Sequence, residues 1–191
     1  MNPGLKTQYI EQSRPYTGTE LRPHWILSEF KIQGSAVVAF RGPCEVQTGD
    51  LVDWEDRLAS DHIRAREMVH FLGEFFGPSL REGVWMQRLF VGIIGDILHE
   101  RFGVRTTRTG DDLWVGEGGL RRKLSVSIVT SSAVSQLLHI GINVDPTGAP
   151  VPAVGLAELS VDATSFAREA LTRFAAEMNS VWDATTKVMP V

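Results

Sequence analysis

Arg122-Lys123-Leu124-Ser125-Val126-Ser127-Ile128 and Leu137-Leu138-His139-Ile140-Gly141-Ile142-Asn143-Val144 decide the fold class. Side chains alternate faces along a strand. Leu124, Val126 and Ile128 therefore share one face of the first segment, and Lys123, Ser125 and Ser127 the other. In the second segment Leu138, Ile140, Ile142 and Val144 stand opposite His139, Gly141, Asn143 and Asp145. The link Thr130-Ser131-Ser132-Ala133-Val134-Ser135 suits a hairpin. Directly opposed residues of an antiparallel pair lie on the same face. Merging the apolar faces merges the polar ones, which puts Ser125 opposite His139 or Gly141. Lys123 to Thr130 and Gln136 to Val144 are thus expected to pair, with Lys123, Ser125, His139 and Asn143 on one ligand-facing surface.

Helices complete the pattern. Leu80 to Phe102 carries Met86, Phe90, Ile93, Ile94 and Ile97 as an apolar stripe, and Gly103 is a natural stop. Gly92 and Gly95 lower its helix propensity, which suggests close packing there. Asp162 is placed to cap a last amphipathic helix with Phe166, Ala170, Phe174, Met178 and Val181 on one face. Asp61 is read as the cap of a third helix, in which Met68, Phe71, Leu72 and Phe75 recur at helical spacing before Gly77-Pro78. Gly34 to Phe40 reads as a buried strand, Asp112 to Val115 as another, and Pro146 to Gly155 as a loop. Residues 1–17 are expected to be a loose lead-in and 18–191 a single α+β domain, a mixed and mainly antiparallel sheet with helices packed on it.

The chain has 191 residues, 43% hydrophobic and 22% charged, enough for one domain with a real core. A net charge of −4 argues against bulk electrostatic binding of nucleic acid. The single cysteine, Cys44, excludes an internal disulfide and fits a reducing compartment. No Cys/His spacing suits zinc, so no metal is expected. The polar stretch Met1–Arg14 lacks a signal-peptide core, and Val84–Phe102 is too polar to span a bilayer. A cytoplasmic protein without membrane partners is the expectation; a homodimer is left open.

The order Gly110-Asp111-Asp112-Leu113-Trp114-Val115, Arg122-Lys123-Leu124-Ser125 and His139-Ile140-Gly141-Ile142-Asn143-Val144 resembles the catalytic core of biotin protein ligases. By that resemblance Lys123 matches the lysine that contacts the carboxylate and phosphate of an acyl-adenylate, and Asn143 the asparagine of the later strand. Arg22-Pro23-His24-Trp25, Phe40-Arg41-Gly42-Pro43-Cys44, Glu67-Met68-Val69-His70-Phe71, Gly110-Asp111-Asp112 and Lys123-Leu124-Ser125-Val126-Ser127-Ile128 resemble the domain of unknown function 366 family, from roughly Pro15 onward. The resemblance implies a biotin/lipoate ligase and class II synthetase-like fold, and no assigned reaction. The chain departs from the ligases in two places. Only Phe40-Arg41-Gly42-Pro43 stands where an adenylate-binding loop belongs, and Val126 replaces a glycine. This makes ATP doubtful and leaves the cofactor open. The superfamily also holds acyl transferases that need no ATP, some with a cysteine nucleophile.

The candidate catalytic residues are Lys123, His139 and Cys44; the candidate ligand-binding residues are Arg41, Asp111, Asp112, Ser125, Gly141 and Asn143. Lys123 suits a carboxylate or phosphate; an edge-blunting lysine is the plainer reading. Asp111 and Asp112 diverge on a strand and share a site only if the chain bends at Gly110; an Asx turn is the alternative. His139 could serve as donor or general base, or as a satisfied structural residue. His70 reads as a core histidine and His99 as a helix-surface one. Arg41, at a strand end beside Gly42-Pro43, suits an anion or a surface ion pair. Cys44 is a nucleophile if its pKa is lowered, and otherwise a small buried hydrophobe. Arg41, Lys123 and His139 are expected to converge on one pocket for a small anionic ligand. Two functions compete: transfer or activation of a small carboxylic acid or acyl group, and a non-catalytic small-anion or nucleotide-binding module. A tRNA-associated role rests on fold analogy alone and runs against the acidic charge.

Overall fold

A computed structural model describes residues 4–59 and 62–189. The larger sheet is built from β1 (Lys6–Ile10), β2 (Ala36–Val46), β3 (Ile63–Phe75), β7 (Ser125–Ser131) and β8 (Gln136–Asp145), in the order β1-β2-β3-β8-β7. β1 and β2 pair parallel and all other neighbours antiparallel. A smaller antiparallel sheet joins β4 (Thr107–Thr109), β5 (Asp112–Val115) and β6 (Arg122–Lys123). Helices α1 (Trp25–Phe30), α2 (Trp54–Leu58), α3 (Leu80–Phe102) and α4 (Ala163–Thr186) complete the fold. This is the α+β architecture expected. Among the described residues no helix is long and apolar enough to cross a membrane.

Both long helices form where the sequence puts them. Ser79 and Glu82 close a capping box at the start of α3, and Gly103 ends it with φ 68°. Asp162 caps α4 by accepting from the Ser165 N–H. The helices cover one sheet face, where Phe90 and Phe174 stack at 4.1 Å over Val69, Phe71, Ile140 and Ile142. The opposite face is also covered. There Val38, Phe40, Met68 and Leu72 pack with Tyr16, Trp25, Ile26, Cys44 and Leu51.

This double coverage explains the first correction. The segment expected as a helix before Gly77 is the 13-residue strand β3; Asp61, its proposed cap, lies outside the described residues. A central strand buried on both faces carries apolar residues on both, so Met68, Phe71, Leu72 and Phe75 mimic a helical stripe. The expected strand before Arg41 runs on to Val46, with Arg41-Gly42-Pro43-Cys44 inside it. Pro43 cannot donate to a ladder, and the register with β3 shifts between Gly42 and Cys44. Within the stretch expected as a loose lead-in, Lys6–Ile10 is a paired edge strand and Tyr16 bridges to Cys44.

The hairpin is antiparallel, but its register differs by one from the expectation. Ser125 opposes Ile142, Val126 opposes Gly141 and Ile128 opposes His139. His139 therefore shares its face with Val126 and Ile128, and the serines share theirs with Ile140 and Ile142. The face-merging argument assumes one wet face, and this sheet has none over β8. The serine hydroxyls tolerate the helix side because they have partners there. Ser125 Oγ accepts from the Leu113 N–H at 2.8 Å, and Ser127 Oγ from Gln87 Nε2 at 2.6 Å.

The glycines behave unequally. A Cβ on Gly42 would stand 1.8 Å from the Arg14 carbonyl oxygen, whereas one on Gly92 meets nothing within 4 Å. The close packing expected at Gly92 is absent; at Gly95 a Cβ would lie 3.2 Å from Thr106 Oγ1. Gly42→Ala is expected to destabilise by roughly 1–3 kcal/mol, since backbone must move. Gly92→Ala is expected to stabilise by about 0.5–1 kcal/mol through helix propensity. Urea melts of the two variants test both signs.

Candidate functional site

The chain changes sheets at Leu124, and that step builds the site. Lys123 belongs to β6, paired with Trp114 of β5, and Ser125 already belongs to β7. The Lys123 backbone is clamped: its N–H donates to the Pro152 carbonyl at 2.9 Å, and its carbonyl accepts from the Val154 N–H at 3.0 Å and from Asn143 Nδ2 at 3.2 Å. Its ammonium is therefore carried by a fixed stem at the junction of two sheets. Nζ pairs with Asp112 Oδ2 at 2.9 Å and lies 5.8 Å from the Trp114 ring centre.

A cavity of about 380 Å³ opens beside this junction. Lys123, Asp111, Asp112, Ser125, His139 and Asn143 line it. Gly110, with φ 65°, makes the bend that lets the adjacent aspartates reach one site. Asp111 turns to Arg88 at 3.1 Å and to Gln87 at 2.9 Å, and Asp112 turns to Lys123. Burial raises the Asp112 carboxyl above its ordinary pKa, against the opposing pull of Lys123. Asp53, Asp56 and Arg64 also line the cavity. Arg64 is a second cation there, missed in the sequence because it lies on the segment expected as a helix. Asp53 gave a local signal as the cap of α2, accepting from the Glu55 and Asp56 N–H groups.

Three candidates stand apart from this cavity. Arg41 follows Val37 and Ala39 along β2, opposite the face of His139 through most of the sheet, and pairs with Glu67 at 2.8 Å. Arg41 does not line the cavity that Lys123 and His139 share, because its side chain leaves β2 on the opposite face, towards Glu67. Gly141 leaves no room for a ligand: a Cβ there would sit 2.8 Å from Met68 Cε and 3.0 Å from Val126 Cγ2, so Met68 fills the space. Cys44 is buried in the second core, and burial, with the Glu20 charge, pushes its thiol up to about 12. A protonated, enclosed thiol is a packing group and a poor nucleophile.

His139 is the most constrained polar group of the cavity wall. Its Nε2 lies 3.1 Å from His70 Nδ1, and His70 Nε2 lies 3.2 Å from the Gly42 carbonyl oxygen. Tyr16 stacks on the His139 ring at 3.7 Å and 16°. Burial lowers both imidazoles, His70 to about 4 and His139 well below its ordinary value with the His70 charge as second cause. Both rings are neutral at pH 7. His70, read as a core residue from sequence, thus bonds directly to a residue of the cavity wall.

Comparison with known proteins gives one family and one fold. The profile of the domain of unknown function DUF366 matches residues 5–189. An uncharacterised protein of Methanocaldococcus jannaschii is 30% identical over 96% of this chain and 84% of its own length. The structure of a protein of unknown function from Pyrococcus horikoshi is 35% identical, with TM-score 0.92 over 98% of this chain and 99% of that one. A biotin protein ligase from Aquifex aeolicus in complex with biotin and ATP shares 15% identity, with TM-score 0.59 over 90% of this chain and 70% of the ligase. A T. acidophilum protein with bound lipoic acid shares 12%, with TM-score 0.56 over 91% and 85%. At such identities the likeness is one of fold, and the fold is biotin/lipoate ligase-like.

The histidine pair gives stability a pH dependence with a definite sign. Unfolded histidine titrates near 6.5 and folded His70 near 4, so the unfolded state holds more protons between these values. The stabilisation is complete above about pH 6.5 and is lost as pH falls towards 4, at up to roughly 1.4 kcal/mol per pH unit per histidine. His70→Gln keeps one donor and one acceptor without titrating. Urea melts from pH 7.5 to 4.5 are expected to show a shallower loss for this variant.

Proposed function

The chain belongs to the DUF366 family, and we propose that its cavity binds a small carboxylate or acyl ligand whose anionic end is held by Lys123. The observation that carries this reading is the clamped Lys123 at the sheet junction, with its ammonium at the cavity wall 2.9 Å from the half-buried Asp112. A carboxylate or phosphate entering the cavity replaces Asp112 as the lysine's counter-charge. Asp112 tolerates the exchange because burial already raises its pKa. Asn143 acts through the Lys123 carbonyl and keeps the stem in place. The fold of the ligases supports the same ligand class by analogy.

In the catalytic form of this reading the protein transfers or activates the bound acid, and Lys123 steadies charge at the carboxyl group. Cys44 takes no part, because its thiol is enclosed and protonated. The alternative, a non-catalytic anion- or nucleotide-binding module, is favoured by the short Phe40-Arg41-Gly42-Pro43 segment, which lies within β2 and not in a loop. Binding of an acid without turnover in the presence of ATP or acyl-CoA selects the module.

A thermal-shift screen of free acids, acyl-CoA and ATP supplies the ligand, and calorimetry tests the residue. Lys123→Ala is expected to weaken binding by about one to two decades, through loss of a charge-assisted bond of roughly 1.5–3 kcal/mol, with the melting temperature little changed. Asp112→Asn is expected to tighten binding by up to about fivefold, since it removes the competing carboxylate of a partly exposed pair. Unchanged affinity in folded Lys123→Ala refutes the assignment.

A further inference from the structure

The hydrogen-bond chain behind His139 fixes which of its nitrogens carries the proton. The Gly42 carbonyl only accepts, so His70 Nε2 donates to it. A neutral imidazole has one N–H, which leaves His70 Nδ1 as an acceptor. His139 Nε2, 3.1 Å away, must then donate to it. The proton of His139 is thereby spent inside the protein, and its other nitrogen, Nδ1, is left with a bare lone pair. Among the described residues no protein group bonds this nitrogen, and it is not among the sealed, unpartnered polar atoms. The ring itself forms part of the cavity wall, held in plane by the Tyr16 stack.

We propose that His139 presents an unprotonated Nδ1 to the cavity, held in that tautomer by His70, so that the site selects small acids carrying a hydrogen-bond donor at the end remote from the carboxylate. The ligand class rests on the carboxylate reading of the cavity given above. His139 is the contact residue and His70 a positioning residue. The two ends of the site are separated along β8 by the stretch from His139 to Asn143, roughly 13 Å of strand, and the ligand would run between them over Met68 and Val126, which fill the space beside Gly141 and line the cavity there. That span suits a medium-chain acid with a terminal hydroxyl or amide N–H. A donor is rewarded because an acceptor lone pair in a confined wall otherwise loses its water without replacement. An acid with a bare hydrocarbon end leaves Nδ1 unpaired.

Two measurements on the whole chain test this. Long-range proton–nitrogen correlation NMR of the ligand-free protein at pH 7.5 reads the tautomer directly. His139 is expected to show a protonated Nε2 and a bare Nδ1 in wild type and in His70→Gln, whose amide both accepts and donates. In His70→Phe the two tautomers are expected to average. Calorimetry then compares octanoate with its terminal hydroxy derivative. The hydroxy acid is expected to bind about tenfold tighter to wild type and to His70→Gln, and within about twofold of octanoate in His70→Phe. A protonated Nδ1 in wild type, equal affinities for the two acids, or a preference that survives in His70→Phe overturns the proposal. Equal but measurable affinities leave the carboxylate reading standing. No binding of either acid overturns that reading and the donor selection with it, whatever the NMR shows. The wild-type measurements decide even where His70→Phe fails to fold.

Discussion

His70 and His139 lie on neighbouring strands of a sheet whose two faces are both covered; His70 is fully enclosed, and His139 meets the cavity only at its edge. Each must find its hydrogen bond inside the protein or stay unpaired at a penalty of a few kcal/mol. The two rings solve this serially, His139 donating to His70 and His70 to the Gly42 carbonyl. The same constraint governs the other polar groups of the sheet. Ser125 takes the Leu113 N–H, Ser127 takes Gln87, and Glu74 accepts from the His24 N–H and the Ser135 hydroxyl. The register of β7 on β8 is one in which each of these bonds is made, even though it sets apolar and polar residues on both faces.

The second organising feature is the transfer of the chain from the small sheet to the large one at Leu124. A continuous hairpin from Lys123 would have made this lysine an ordinary member of a β-ladder. The break lets its backbone bond to the loop around Pro152 and Val154 and to Asn143. The result is a rigid stem for a flexible ammonium. In the anion site proposed above, the rigid stem would limit the ordering penalty on binding, and the ligand's anionic end would take the place of Asp112. Tyr16, Cys44 and Gly42 take no direct part in the cavity, yet Tyr16 and the Gly42 carbonyl hold the two histidines in place. Fold and site therefore share residues, since His70 bonds both to the Gly42 carbonyl and to His139 of the cavity wall.

Local signals in the sequence were sufficient for the elements with one wet face or a clear cap. α3 and α4 are legible from their stripes and from Gly103 and Asp162, because amphipathic helices on a surface repeat at 3.6 residues and their ends need partners. β5, the β7–β8 pairing and the bend at Gly110 are legible for like reasons of alternation and turn chemistry. β3 was illegible as a strand. With both faces buried, alternation vanishes and only the partner strands reveal the pairing.

The site divides along the same line. The sequence by itself determined the α+β class, the family, and the segment that holds Lys123, Asp111, Asp112, Ser125, His139 and Asn143, since these are properties of local pattern and motif. Tertiary structure alone decided that Arg41 pairs with Glu67, that Met68 occupies the space beside Gly141, that Cys44 is sealed, and that His70 sits behind His139. Each depends on which strand lies next to which, and on whether an extra residue shifts the register between them. A single residue's slip reverses every side chain, so no local pattern in a sheet covered on both faces specifies it.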